Sequence, residues 1–189
     1  MQIDPRVKSK PVYQPVEIDK SVQQHLFIAQ NSSLSEMHEL IKTCTTGEKS
    51  YWIVGNDNSE SIPEDTTFIS NETFAETLGD LFAKLPVSSN LYVSGVTEAF
   101  IWDVYNIATK AGLADEQIKM FKPLSNERRL FCTHCYTITD GVTQSPFECP
   151  GCHRLLLVRD HFSTIHAAYV GVQINAEDPN ETHPIEELN

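Results

Sequence analysis

The sequence predicts an α/β protein: an open, mostly parallel sheet followed by a small cysteine-bearing ribbon. Three observations carry that prediction. Between residues 24 and 123, short apolar runs alternate with segments of helical periodicity, the pattern of strand–helix–strand crossovers. Between residues 132 and 152, "CTHCYTITDGVTQSPFECPGC" holds four of the five cysteines, as two Cys-x-x-Cys pairs thirteen residues apart. The chain has 189 residues, 40% of them hydrophobic, enough for one ordinary domain and a small one.

The elements follow in order. Residues 1–23 carry Pro5, Pro11 and Pro15 among polar neighbours and read as an extended lead-in. In the α/β domain, 24–123, "HLFIAQ" (25–30) is a buried strand. "SLSEMHELIKTC" (33–44) is a helix, with Ser33 as its N-cap and Glu36 completing a capping box. "SYWIVG" (50–55) and "TTFIS" (66–70) are the second and third strands. "NETFAETLGDLFAKL" (71–85) is an amphipathic helix with Phe74, Leu78, Leu81, Phe82 and Leu85 on one face. "NLYVSG" (90–95) is the fourth strand, "TEAFIWDVYNIATKAG" (97–112) a helix closed by Gly112, and "EQIKMF" (116–121) the last strand. Residues 124–176 form the ribbon and a following β segment opened by "RLLLVRD", and 177–189 form a solvated acidic tail with five acidic residues and no Lys or Arg.

Charge and hydropathy narrow the partners. A net charge of −12 repels phosphate backbones and argues against nucleic acid. The longest apolar runs, such as Leu155-Leu156-Leu157-Val158, are too short to span a bilayer. Met1-Gln2-Ile3-Asp4-Pro5-Arg6 lacks the basic and apolar regions of a signal peptide. The expectation is a reducing, cytoplasmic setting and no membrane.

Thiolates are soft ligands, and four of them in a tetrahedron suit Zn²⁺ or a single iron. Cys132, Cys135, Cys149 and Cys152 are the expected ligands. The two-residue gap lets one tight turn aim both sulfurs of a pair at one ion, and Pro150-Gly151 favours such a turn. The spacing lies close to the zinc-ribbon pattern. Paired disulfides fit a secreted protein better, a thioredoxin-type centre leaves the second pair unexplained, and a plant-type iron–sulfur run is absent. A rubredoxin-type iron site has the same ligands, with a wider gap and Gly after each knuckle where Tyr136 and His153 stand here. Zn²⁺ is the expected occupant and a rubredoxin-like iron electron carrier the alternative. Four protein ligands leave no open position, so a zinc site of this kind is structural.

The remaining candidates read blandly. His134 and His153 are turn residues beside the knuckles, Cys44 is a partly buried free thiol, and Trp52 and Trp102 lie on core faces. Arg159-Asp160-His161 lacks a partner nucleophile and reads as local ion pairing or subunit contact. His166 reads as a hydrogen-bonded core or surface residue, and Arg128-Arg129 as a contact for an acidic partner. Ligands of open parallel sheets bind beyond the strand C-termini. The turn after the first strand, Asn31-Ser32-Ser33, has no glycine and the turn after the fourth has only Gly95, so neither passes as a phosphate cradle. No catalytic residue and no flavin or nucleotide is expected on this chain.

Two resemblances sharpen the reading. "NLYVSGVTEAFIWDVYNIATKAGLADEQIKMF" is similar to the last strand–helix–strand unit of ferredoxin-reductase NAD domains, with Ser94-Gly95-Val96-Thr97 in place of that family's Cys-Gly-Pro-Pro turn. "HLFIAQNSSLSEMHELI" resembles its first strand, turn and helix without the glycines, and only about 23 residues stand where a flavin barrel precedes it. The likeness, over 25–121, implies a ferredoxin-reductase NAD-domain-like fold that has lost its nucleotide and flavin chemistry. The C-terminal segment, with its four cysteines, then Val158-Arg159-Asp160-His161-Phe162-Ser163 and Ala167-Ala168-Tyr169-Val170-Gly171-Val172, resembles the DmmA-like small subunit of dimethylamine monooxygenase. That resemblance implies a noncatalytic accessory subunit in a hetero-oligomer. Other subunits of that family's system carry the oxygen-activating centre and the flavin/iron–sulfur reductase route. The assembly as a whole converts dimethylamine, O₂ and NADPH to methylamine and formaldehyde.

Overall fold

The computed structural model describes residues 9–56, 62–178 and 183–189. The expectations placed on Pro5, on the Met1–Arg6 start and on Glu181 of the tail lie outside the described residues. The chain forms two units. One is Tyr13–Ser125; the other joins the two ends of the chain, with Asn126–Asn189 as its main part.

The first unit runs β1 (Gln24–Gln30), α1 (His38–Thr43), β2 (Glu48–Val54), β3 (Thr67–Ile69), α2 (Phe74–Phe82), β4 (Ser89–Ser94), α3 (Glu98–Lys110) and β5 (Ile118–Met120). Every strand pair is parallel, in the order β3-β2-β1-β4-β5, so the predicted open parallel sheet is borne out. The central strands are apolar on both sides because both faces are covered. Leu26, Ile28, Leu91 and Val93 pack with Leu78 and Phe82 of α2 and Ile101, Val104 and Ala108 of α3. Phe27, Ala29 and Tyr92 point the other way, onto Leu34, Met37, Tyr51 and Ile53. The order reverses between β1 and β4, which places a crevice at their C-terminal ends.

One predicted element is corrected. The helix expected over 33–44 is a 3-10 turn, Asn31–Met37, followed by the short α1. Asn31 has φ 49°, which turns the chain sharply out of β1. Ser33 is not an N-cap exposed at a helix start. It is buried, its Oγ accepts the Gln30 N–H at 3.0 Å, and Glu36 is exposed. A tertiary contact to β4 draws this turn inward and overrides the local capping signal. At α3 the local signals hold: the Thr97 side chain caps Phe100 N–H, and Gly112 takes φ 101° just past the helix end.

The second unit runs β6 (Arg128–Cys132), β7 (Ile138–Val142), β8 (Gln144–Ser145), β9 (Phe147–Glu148), β10 (Leu155–Ser163), β11 (Ala168–Gln173) and β12 (Glu186–Glu187). Its main sheet has the order β7-β6-β11-β10-β9, and β12 pairs with β8. All pairs are antiparallel except β11 with β6. Leu130, Leu156, Val158, Phe162 and Tyr169 are buried. Gly171 lies among them, where a Cβ would come within 3.0 Å of Leu156 and 3.1 Å of Leu130. Ser9 runs beside β10: its N–H donates to Asp160 O at 2.8 Å, and Phe162 N–H donates to Ser9 O at 3.2 Å. Among the described residues, no helix is long and apolar enough to cross a membrane.

Candidate metal centre

The Sγ atoms of Cys132, Cys135, Cys149 and Cys152 all lie within 4.8 Å of one another. Cys132 and Cys152 are 3.8 Å apart and Cys135 and Cys149 3.5 Å apart. A tetrahedral ion with metal–sulfur bonds of about 2.3 Å has sulfur–sulfur edges of about 3.8 Å, so the cavity fits such an ion. Cys132 and Cys149 are buried, and Cys135 and Cys152 half-buried.

The two pairs are built alike. After Cys132 and Cys135 the chain turns at Tyr136, whose φ is 63°. Tyr136 N–H donates to Cys132 O at 2.9 Å and Cys132 N–H to Thr137 O at 3.0 Å. After Cys149 and Cys152 it turns at His153, φ 58°. His153 N–H donates to Cys149 O at 2.8 Å and Cys149 N–H to Arg154 O at 3.0 Å. Each pair is therefore closed by its own backbone hydrogen bonds. Each closure uses the left-handed region, which costs a non-glycine residue about 1–2 kcal/mol. Gly151 is required for space: a Cβ there would sit 2.1 Å from Thr137 Oγ1 and 3.3 Å from Cys135 Sγ.

The surroundings favour the thiolate at Cys135 and oppose it at Cys132 and Cys152. Thr137 offers its hydroxyl, 3.2 Å from Cys135 Sγ, and its backbone N–H, and these draw the Cys135 thiol down to about 6. Burial raises Cys132, against the N–H groups of Cys135 and His134. Burial, and then the neighbouring cysteines, push Cys152 up to about 12. Four thiols this close ionise together only when a cation holds them. Four sulfurs complete a tetrahedron, so no position remains for water or substrate.

The other sequence candidates stand apart from this centre. His134 is exposed, and His153 turns its ring to Glu148, 3.1 Å away. Asp160 pairs with Arg128 at 3.0 Å and Lys10 at 3.2 Å, while His161 Nδ1 meets Ser9 Oγ at 2.8 Å. Arg128 is buried under the Tyr169 ring, and Arg129 pairs with Asp140 at 2.7 Å. The reading of Arg128-Arg129 as a contact surface is therefore corrected, because adjacent strand residues face opposite sides and both guanidinium groups are held within the unit. His166 is exposed and stacks on Phe131 at 4.6 Å. Cys44 is buried, its Sγ 3.6 Å from Thr46 O. Trp52 and Trp102 are half-buried; Trp52 packs on the core, and Trp102 Nε1 donates to Tyr13 Oη at 3.3 Å.

Sequence reasoning missed Gln30, at the crevice between β1 and β4. Its Oε1 accepts from Val96 N–H at 2.9 Å and Thr97 N–H at 3.1 Å. These amides stand at the N-terminus of α3, where an anion binds in nucleotide-binding sheets. Ser94 Oγ donates to Ser33 O at 2.8 Å and closes the floor of the crevice. The signal was a glutamine at the strand end where a glycine-rich turn would open a cradle.

Fold and site together define an α/β protein carrying a closed four-cysteine centre of metal-binding geometry. The chain belongs to the DmmA-like family of dimethylamine monooxygenase subunits: residues 5–118 match the family's N-terminal domain and residues 129–172 its C-terminal domain. The resemblance drawn from the cysteine segment is thereby borne out. The chain is also similar to the heme-dependent oxidative N-demethylase delta subunit of Ectopseudomonas mendocina (strain ymp), with 37% identity over 82 residues. That match covers 43% of this chain and 47% of the relative, so it spans about half the relative's length. No solved structure matches the chain.

Proposed function

We propose that this chain is a zinc-binding, noncatalytic accessory subunit of a multi-subunit dimethylamine monooxygenase, in a cytoplasmic, reducing setting. The assembly carries out oxidative N-demethylation of dimethylamine to methylamine and formaldehyde. Family membership across both units is the observation that carries the reading. Cys132, Cys135, Cys149 and Cys152 would hold the ion, which supplies a structural crosslink when bound. The domain division (a lead-in to 23, the α/β part to 123, the ribbon to 176, then the acidic tail) is part of the same proposal.

Both units favour a supporting role. The sulfurs leave no coordination position for a reaction. In the α/β unit, the amides that would meet a phosphate are taken by Gln30, which favours a sheet of ferredoxin-reductase NAD-domain type that works without nucleotide or flavin. The chain would then join the catalytic subunit and the flavin/iron–sulfur reductase subunit and set their spacing for electron transfer. The test is reconstitution. The other subunits, purified without this chain, should lose assembly and NADPH-driven formaldehyde release, and adding it back should restore both. Full activity and intact assembly without it would end the proposal.

A second reading has its own observation: the same S₄ geometry accommodates a single iron. A rubredoxin-like electron carrier would be red and reversibly redox active. Elemental analysis of native protein, with one zinc and no iron per chain, decides against it.

A further inference from the structure

The two cysteine pairs share a backbone plan but not their side chains. In the first, Cys132 N–H donates to Thr137 O; in the second, Cys149 N–H donates to Arg154 O. Thr137 and Arg154 therefore hold equivalent places, each two residues past the second cysteine of its pair. Arg154 sends its guanidinium to Gln173 Oε1. Thr137 instead turns its hydroxyl to the centre, 3.2 Å from Cys135 Sγ. Among the described residues, it is the one side chain other than the cysteines themselves within hydrogen-bond distance of these four sulfurs. A thiolate has no proton to give, so with an ion bound the hydroxyl is the donor.

Packing fixes where that hydroxyl points. A Cβ on Gly151 would come within 2.1 Å of Thr137 Oγ1 and 3.1 Å of Thr137 Cβ, so the Thr137 side chain lies against the turn of the second pair. The same residue thus closes the first pair with its carbonyl, meets a sulfur of that pair with its hydroxyl, and abuts the second pair with its side chain. Thr133, between the cysteines of the first pair, takes the commoner course: its Oγ1 donates to Gly171 O at 3.0 Å. A hydrogen bond to a ligand orients it and tunes the charge it presents to the ion, and such partners typically carry about ten- to a hundredfold of metal affinity.

We propose that Thr137 is a positioning residue of the metal centre: its hydroxyl donates to the Cys135 thiolate and holds that sulfur on the ion, while its side chain seats the second pair against the first. This rests on the metal-binding reading of the four cysteines.

The experiment loads the full, reduced chain with Zn²⁺ or with Co²⁺. Thr137→Val removes the hydroxyl and keeps the branched shape; Thr137→Ala removes it without adding bulk beside Gly151. Each should weaken Zn²⁺ binding about tenfold or more in competition with a chromogenic chelator, with one ion per chain still bound at saturation. In the Co²⁺ form the sulfur-to-cobalt charge-transfer band should move to lower energy, because a sulfur without its hydrogen bond gives up an electron more easily. Thr137→Ser keeps the hydroxyl and should keep the wild-type band and most of the affinity. Thr133→Val should leave the band in place. A purely structural role would weaken binding without the band shift. Val and Ala variants with wild-type affinity and band would overturn the role of Thr137 and leave the metal centre standing. Weakened binding in the Val variant alone would assign the loss to crowding at Gly151 and overturn it, as would an equal band shift in Thr133→Val. Wild-type chain that binds neither ion would overturn the metal-binding reading itself.

Discussion

At the scale of single residues, two polar side chains of the α/β unit, half-buried Gln30 and buried His25, carry measurable free energy. Gln30 satisfies two backbone N–H groups at the start of α3, and its removal strands both donors beside the core. Each such hydrogen bond contributes about 0.5–1.5 kcal/mol net to stability. Gln30→Ala should therefore lower stability by about 1–3 kcal/mol in urea unfolding, and a loss near zero would mean that water replaces the side chain freely. His25 is fully buried, its Nδ1 3.2 Å from Tyr92 Oη. Burial lowers its pKa below the ordinary 6.5, outweighing the attraction of Asp19 and reinforced by Lys49. The unfolded chain then binds more protons than the folded one below about pH 6.5. The stabilisation is complete above that value and is lost as the pH falls from it toward the lower folded value. Urea unfolding at about pH 5 and about pH 7.5 should show this decline, and His25→Gln should flatten it.

At the scale of elements, each unit has its own source of stability. The α/β unit buries β1 and β4 between two apolar layers. The other unit is the smaller one, and its β6 and β9 lead directly into the cysteine pairs. Small sheets of this kind draw folding free energy from a bound ion. A strong chelator should melt the cysteine-bearing unit and leave the parallel sheet folded, seen as exchange of amides in β6, β7 and β11 while those of β1 and β4 stay protected. Simultaneous loss of both sets would contradict this independence. The same contrast explains what was legible in the sequence. The parallel strands could be read because both their neighbours are apolar layers, and the cysteine pairs because ligand spacing is local. The segment after β1 could not, because Ser33 is held by β4, sixty-one positions away in sequence. Nor could the turns after each pair: Tyr136 and His153 adopt left-handed backbone that their identities disfavour and the pair geometry imposes. The burial of Arg128 was available from strand alternation, had β6 been recognised as a strand.

At the scale of the whole molecule, the deciding question is whether the metal conducts electrons or holds shape. The site geometry alone leaves zinc and iron equal, since both take four sulfurs in a tetrahedron. On the proposed reading the ion is a clasp, and the electron route belongs to the partner subunits. A clasp tolerates any ion of the same shape, whereas an electron carrier requires one that changes oxidation state. Replacing the native ion with Cd²⁺, which is tetrahedral with thiolates and redox-inert, should preserve assembly with the partner subunits and about the same rate of NADPH-dependent formaldehyde release. Cys149→Ser should lose both, because three sulfurs no longer close the second pair. If the Cd²⁺ form assembled but formaldehyde release stopped and returned only with iron, the metal would be the electron carrier and the clasp reading would be wrong.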